Sequence, residues 1–327
     1  MTSAETRELF IKKAKYWQAA REFFTKTNFM EVQTPALEAI PGGADANPFI
    51  THHDALDQNF YLRISLELPL KRLLVGGFEK VYEIGKVFRN EGIDTEHLQD
   101  YDTCEFYWAY ADYNNLMDFT EKLYQYIVEV VSGGLKTVYD GKEINWSGAW
   151  PRKDYFELIK EISGEDLAGV TEVADLQKLL QKYKVRYDEN MGAGRLIDLF
   201  WKKLVRPKVL GPLFLINHPI EVSPLAKKHD KLAGRVQRMQ VIVAGYELGN
   251  GWSELNDPFD QRERFEGQMK LREAGDVEAQ MMDEDFVTAL EYGMPPAAGF
   301  GFSERLFSFI VDKPIRETVI FPPMRSK

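Results

Sequence analysis

Residues 80–113 read KVYEIGKVFRNEGIDTEHLQDYDTCEFYWAYADY, and the way this stretch folds decides the rest. Its opening, KVYEIGKVF, and its close, TCEFYWAYADY, alternate apolar and polar side chains with the period of a half-buried strand. Between them lies the polar segment NEGIDTEHLQDYD. Strand, loop and strand in that order predict an antiparallel hairpin with a long, charged tip. Upstream, FYLRIS is a further short apolar run and LELPLKRLLVGG predicts a helix. Nearer the start, Phe10, Ala14, Trp17, Ala20 and Phe24 recur at three- to four-residue spacing among Lys12, Lys13, Lys15 and Glu22. That is an amphipathic helix, with Asn28 as its end and FMEVQTPAL as a short strand stopped at Pro35. In the turn IPGGADANPF, Gly42 and Gly43 permit backbone angles and approaches that a side chain would forbid.

Downstream, residues 114–133 resume helical spacing, and residues 154–205 are charged and mostly helical, with Gly192 and Gly194 as a break. PLFLINHPIEV and MQVIVAGYELGNGWSEL each predict a strand, and residues 259–292 an acidic helical stretch before the glycine-bearing AAGFGFSERLFSFI. The pattern predicts one α+β domain over 1–327 with a mostly helical insertion around 150–206.

The 327 residues include 41 Lys and Arg against 51 Asp and Glu, a formal net charge of −10. With 44% hydrophobic and 28% charged residues the chain can bury a sizeable core, which excludes disorder as a global description. No run of ~18 apolar residues occurs, so no membrane-spanning helix is expected. The start, MTSAETRELFIKK, lacks the features of a signal peptide. Cys104 is the only cysteine, which rules out an intrachain disulfide, and it sits in an apolar alternation that reads as core. These features favour the cytoplasm. Adjacent His52 and His53 have no metal-ligand partner nearby in sequence and read as structural. The acidic balance disfavours a dedicated nucleic-acid-binding module and leaves room for a local basic patch.

Three clusters could carry chemistry. Arg89, Glu91, His97, Tyr101 and Glu105 hang on the hairpin; an arginine at a strand end can grip a carboxylate or phosphate, and the aromatic can stack on a flat ring. The plainer reading is a solvated hairpin with a surface ion pair. In YELGNGWSELND, Asn250, Trp252 and Glu254 share one face of a strand and suit a ligand carrying an ammonium group. Glu247 joins that face only if a bulge falls at Gly249 or Gly251; the plainer reading is an edge strand with outward polar residues. In GFGFSER, alternating glycines could let a flat ligand approach the backbone while Arg305 covers it. It is not a dinucleotide fingerprint, because no strand–GxGxxG–helix order surrounds it.

In this order the three clusters resemble the signature motifs of class II aminoacyl-tRNA synthetases, and the chain is similar to the catalytic domain of bacterial lysyl-tRNA synthetases over nearly its whole length. The strings that carry the likeness include FMEVQTPAL, IPGGADANPF, FRNEGI, EVSPLAKK, ELGNGWSELNDPFDQ, DEDFVTALEYGMPP and IRETVIFPPMR. The resemblance implies the class II catalytic fold, an antiparallel sheet flanked by helices, a homodimer formed through the first helix and strand, and activation of lysine by ATP with Mg²⁺ to an adenylate, followed by transfer to an acceptor. It implies that Arg89 holds the α-phosphate and the lysine carboxylate, that Glu91 and His97 contact ATP, and that adenine lies between Tyr101 and Arg305. Gly43 and Glu67 would take the α-amino group. Glu254 with Tyr107 and Glu105 would hold the ε-ammonium, Trp252 would flank the alkyl chain, and Asn250 would steady the carboxylate beside Gly301. Glu247 would bind Mg²⁺.

The sequence departs from that pattern in four ways. The family's anticodon-reading OB-fold domain is not expected, since Met1 opens directly on the catalytic part. Gln240 stands where another metal-binding Glu is usual. The hairpin tip carries Glu96, His97, Leu98 and Gln99 in place of Arg-His-Asn-Pro, and GFGFSER is one residue short before Arg305. Asp94, Glu96, Asp100 and Asp102, with no Lys or Arg after Arg89 in the loop, would repel a phosphate backbone. That motivates an acceptor other than full tRNA, such as elongation factor P, whose stand-alone lysyltransferases are related. The alternatives are a minimal tRNA-charging synthetase, for which Lys178, Lys182, Lys184 and Arg186 are a candidate basic patch, and a non-catalytic paralog that senses lysine or a nucleotide.

Overall fold

Alternation along residues 80–113 places large side chains on both faces of the hairpin, so both faces need cover. The computed structural model, which describes residues 3–92, 98–273, 275 and 279–322, shows what supplies it. The N-terminal part runs α1 (Ala4–Lys26), β1 (Met30–Glu31), β2 (Leu37–Glu38), β3 (Ile50–His53), β4 (Gln58–Leu62), α2 (Glu67–Val75), β5 (Lys80–Phe88) and β6 (Asp100–Ala109). Then come α3 (Tyr113–Ser132), β7 (Lys136–Tyr139), β8 (Lys142–Asn145), β9 (Arg152–Asp154), α4 (Tyr155–Ser163), α5 (Val173–Lys182) and α6 (Ala193–Phe200). The C-terminal part holds β10 (Leu213–Ile216), β11 (Arg238–Val243), β12 (Tyr246–Ser253), α7 (Pro258–Glu273), α8 (Glu284–Glu291), β13 (Ala297–Ser303) and α9 (Glu304–Ile310).

The main sheet has eight strands in the order β1-β5-β6-β13-β12-β11-β10-β9. It is antiparallel except at its margins, where β1 runs parallel to β5 and β9 to β10. The hairpin pairs from Lys80 opposite Trp108 to Phe88 opposite Asp100, so the tip spans residues 89–99, of which 93–97 lie outside the described residues. On one face Cys104, Phe106, Phe300 and Phe302 pack against Tyr16 and Phe24 of α1 and Tyr124 of α3. Each large ring buried there contributes on the order of 2–3 kcal/mol relative to exposure. Helix α1 starts at Ser3, whose hydroxyl accepts from Thr6 N at 3.1 Å, and Asn28 follows its end with φ 63°, a left-handed conformation that Asn tolerates. The other face carries α2, α7 and α8, with Val81, Val87 and Tyr107 against Leu70, Phe265 and Phe286. Leu213 and Leu215, which alternate with core-facing Phe214, bury against Tyr155 and Trp201 of the helical insertion. The insertion therefore stands over one end of this second face.

Three readings of local structure change. MQVIVAGYELGNGWSEL is not one strand but the hairpin β11–β12, turning at Ala244 (φ 46°) and Gly245 (φ 82°). Two consecutive positive φ values make the tight turn that matches strand twist, and alanine is a rare occupant of its first position, so the period-two pattern hid the break. Residues 259–292 hold two helices, because Asp283 accepts from Phe286 N at 2.9 Å and starts α8 afresh. His52 and His53 are exposed on β3 rather than structural, with His52 Nε2 3.4 Å from Asp57 Oδ1.

Candidate active site

Strands β6, β12 and β13 form the floor of a cavity of about 990 Å³ on the second face, beside the insertion. Because side chains alternate along β6, Tyr101, Thr103, Glu105 and Tyr107 line it, while Asp100, Asp102 and Cys104 occupy the opposite parity. Asp100 and Asp102 lie 3.6 and 3.5 Å from Lys86 Nζ of the neighbouring strand. The expectation of four carboxylates facing a phosphate backbone is thus corrected for these two, which share one ammonium and do not line the cavity, while Asp94 and Glu96 lie outside the described residues. Along β12 the pairing jumps from Val241 opposite Gly249 to Ile242 opposite Glu247. Leu248 is the extra residue of a bulge, its side chain goes to the core, and Glu247, Asn250 and Trp252 all line the cavity. The bulge that this face requires therefore falls at Leu248, next to Gly249.

Close approach explains Gly299 on β13. A Cβ there would stand 2.2 Å from Tyr107 Cε1 and 2.5 Å from Glu254 Oε1. Gly43 has φ +87°, and a Cβ would meet Ser65 Oγ at 2.8 Å, so the turn before β3 lies directly against the start of α2.

The deep end of the cavity is acidic. Glu105 Oε1 accepts from Ser65 Oγ at 2.8 Å and Leu66 N at 2.9 Å, and its Oε2 accepts from Tyr107 Oη at 3.0 Å. Glu67 joins it on the wall. Glu254 is 1% exposed and sits just beneath the floor; its Oε2 accepts from Trp252 Nε1 at 3.0 Å, and its buried Oε1 has no hydrogen-bond partner. Burial pushes the pKa of all three carboxyl groups up. The opposing influences differ: for Glu67 and Glu254 the main one is the Lys71 ammonium, and for Glu105 it is the Leu66 N–H followed by the Ser65 and Tyr107 hydroxyls.

The other end is cationic. Arg89, at the end of β5, has its guanidinium carbon 5.6 Å from the Tyr101 ring centre. Arg305 lines the same wall from the first turn of α9. Although the third motif is short, Ser303 caps this helix by accepting from Arg305 N at 3.2 Å, so the strand-to-helix turn still delivers the arginine. The neighbouring Glu304 turns away to an ion pair with Lys13 of α1. Glu91, Gly43 and Gly301 complete the predicted set on the lining, and His97 lies outside the described residues.

Glu247 fits a role in Mg²⁺ binding, because such ions are held by one or two carboxylates together with substrate phosphates. Gln240 does not add a second protein ligand. It is buried with its Oε1 3.1 Å from His218 Nε2, and burial followed by the Arg238 charge holds that imidazole well below the usual histidine range. Among the described residues no three His, Cys, Asp or Glu side chains gather into a metal-holding group.

Two charged residues at the site escaped the sequence reading. Arg238 donates to Asn250 Oδ1 at 3.0 Å, Val222 O at 2.7 Å and Ser223 Oγ at 3.0 Å, with its guanidinium carbon 5.7 Å from the Trp252 ring centre. It stands opposite Trp252 in the register, a relation visible only once the hairpin is recognised. Lys71 bonds Glu254 at 2.7 Å and Glu67 at 3.1 Å, and only its i+4 spacing from Glu67 on the predicted helix could have announced it.

The family model described as tRNA synthetases class II (D, K and N) matches residues 1–325. Similar proteins include the lysine--tRNA ligases of Thermoanaerobacter sp. (strain X514), 47% identical over 326 residues, and of Carboxydothermus hydrogenoformans, 46% identical over 329 residues. The alignments cover 99% and 100% of this chain but 65% and 67% of those relatives, so the chain spans about two thirds of their length. The lysine--tRNA ligase of Bacillus cereus (strain AH187) is 44% identical, with 66% of its length covered.

Proposed function

From the premise that the chain belongs to the class II tRNA synthetases of the D, K and N group, we propose that it activates lysine with ATP and passes the lysyl group to tRNA. The observation that carries this reading is the polarity of this cavity. Buried Glu67, Glu105 and Glu254 at its deep end suit the two ammonium groups of lysine, and Arg89 and Arg305 at the other end suit a carboxylate and a triphosphate. The lysine carboxylate oxygen would attack the α-phosphorus in line, and the bond to pyrophosphate would break. Such a step needs positioning and charge neutralisation more than acid–base chemistry. Arg89 would bridge the nucleophile and the phosphate, Arg305 and Tyr101 would hold adenine between them, and Asn250, oriented by Arg238, would steady the carboxylate. Magnesium, held by Glu247 and the phosphates, would neutralise charge on the leaving group.

tRNA is favoured over a protein acceptor because the similar proteins are lysine--tRNA ligases, and because two of the four carboxylates that would repel a phosphate backbone share the Lys86 ammonium and do not line the cavity. Arg305 on the cavity wall speaks for catalysis over a purely binding role. A homodimer is supported by apolar side chains left exposed on α1 and the first strands: Ile11 at 51%, Met30 at 53% and Ile50 at 64%. No helix of the described residues is long and apolar enough to cross a membrane.

The test is amino-acid-dependent exchange of pyrophosphate into ATP with each standard amino acid, followed by transfer to tRNA or to elongation factor P. Exchange with lysine and charging of tRNA is the expected result. Folded protein that exchanges with no amino acid would sink the catalytic reading, and transfer to the protein alone would replace the acceptor.

A further inference from the structure

Behind the deep end of the cavity, buried against Glu67 and Glu254, lies a lysine of the chain itself. The Lys71 side chain is 0% exposed; its Nζ lies 2.7 Å from Glu254 Oε2, 3.1 Å from Glu67 Oε1 and 5.2 Å from the centre of the Phe286 ring. We propose that Lys71 is a positioning residue for the amino-acid pocket: by engaging one oxygen of Glu67 and one of Glu254 with its positive charge, it aims both carboxylates and favours their charged form, and so sets the preference for a ligand with two ammonium groups. This deepens the lysine reading above and rests on it.

The geometry supplies the argument. Glu254 Oε2 is used twice, by Lys71 and by Trp252 Nε1, while Oε1 is buried without a partner beside Gly299 and Tyr107. A buried carboxylate oxygen left alone is costly, which makes it a receptor for a donor that arrives with the ligand. The groups facing Lys71 are Glu67 on its own helix, Glu254 beyond β12 and Phe286 on α8; Glu105 and Tyr107 of β6 stand behind Glu67 and Glu254. Glu67, Glu105 and Glu254 outnumber the single ammonium of Lys71, so the pocket is short of cations, which the α- and ε-ammonium groups of a diamino acid supply. Remove Lys71 and two buried carboxylates face each other across an empty space. Such a pair holds on to a proton, and a protonated carboxyl no longer forms an ion pair with an ammonium group. The ammonium of Lys71 itself is secure, because burial, which would lower its pKa, is outweighed by Glu254 and Glu67.

The experiment is calorimetric binding of lysine and of norleucine, which has the same alkyl chain without the ε-ammonium, to the wild-type protein and to Lys71→Gln and Lys71→Arg. The wild type should prefer lysine by about 100-fold or more. In Lys71→Gln that ratio should fall by roughly tenfold or more, and partly recover as the pH is raised from about 6.5 to about 8.5, while ATP affinity stays within about twofold. Lys71→Arg, which keeps the charge, should hold the ratio within about threefold. A merely structural lysine would weaken both ligands alike, so an unchanged ratio in Lys71→Gln overturns the proposal. Should Lys71→Gln fail to fold, a folded Lys71→Arg decides: the ratio kept supports the proposal and the ratio lost overturns it. The ratio is read without ATP, so lysine binding without pyrophosphate exchange would strike the activation reading and leave this one standing.

Discussion

Glu254 Oε1, buried and unpartnered beside Gly299 and Tyr107 of the cavity floor, is placed to receive a donor that arrives with a ligand. Replacing Glu254 by Gln keeps the shape and removes the charge. A desolvated ion pair of this kind is worth on the order of 3 kcal/mol, so the lysine KM in pyrophosphate exchange should rise about 100-fold with the ATP KM little altered. Equal loss for both substrates would assign Glu254 to packing. Glu38 makes a different use of burial. One of its oxygens is also buried without a partner, and burial, only partly countered by Arg63, pushes its pKa up to about 8. A raised carboxyl pKa means that the folded chain keeps a proton the unfolded chain has released. The stabilisation is complete below the unfolded value near 4.5 and is lost as the pH climbs through about 8. Glu38→Gln should therefore melt at nearly the same temperature at pH ~6 and pH ~9, where the wild type loses several degrees. Matching pH profiles for the two would refute this. At this scale the sequence was generous with Asn250, Trp252 and Glu254, whose shared parity is written in the chain. It was silent on Arg238 and nearly so on Lys71, because a charged side chain reads as solvent-facing until its counter-charges are located in space.

For the elements, what mattered was which way each strand faces. Hairpin β5–β6 was legible from alternation alone, and alternation also implies that Asp100 and Asp102 share a face with Cys104 and not with Tyr101. Adding up the charges of a loop without that parity overstated its repulsion of phosphate. The bulge at Leu248 was foreseeable in kind but not in place, since nothing in GNG names the residue left unpaired. The start of α3 depends on a local device: Asp112 Oδ1 accepts from Asn114 N at 2.8 Å and Asn115 N at 3.0 Å, and Asn115 Oδ1 accepts in return from Asp112 N at 3.0 Å. Asp112→Ala should cost about 1 kcal/mol and lower the melting temperature by about 2 °C, with lysine and ATP KM unchanged. A shift in either KM would mean that α3, on the far side of the sheet, is coupled to the cavity.

For the whole molecule the question is how a chain of net charge −10 would receive a polyanion. In the basic run proposed on the insertion, Lys178 lies 3.3 Å from Asp175 and Lys182 2.8 Å from Glu165, so two of its four cations are paired locally on the surface. At the far end of the insertion Lys202, paired with Asp198 at 2.7 Å, lines the cavity with Lys203, Arg206, Arg89, Arg238 and Arg305. Sequence alone could not choose between these two sets, because the choice depends on how the insertion packs on Leu213 and Leu215. If a tRNA end enters the cavity past that rim, Lys203→Glu should raise the tRNA KM by roughly tenfold and lower the slope of its logarithm against the logarithm of salt concentration by about one, leaving pyrophosphate exchange intact. Lys178→Glu should change neither. Equal effects of the two substitutions would show that the acceptor responds to the overall field of the protein rather than to this rim, and no effect of Lys203→Glu would place the path of the acceptor on another side of the cavity.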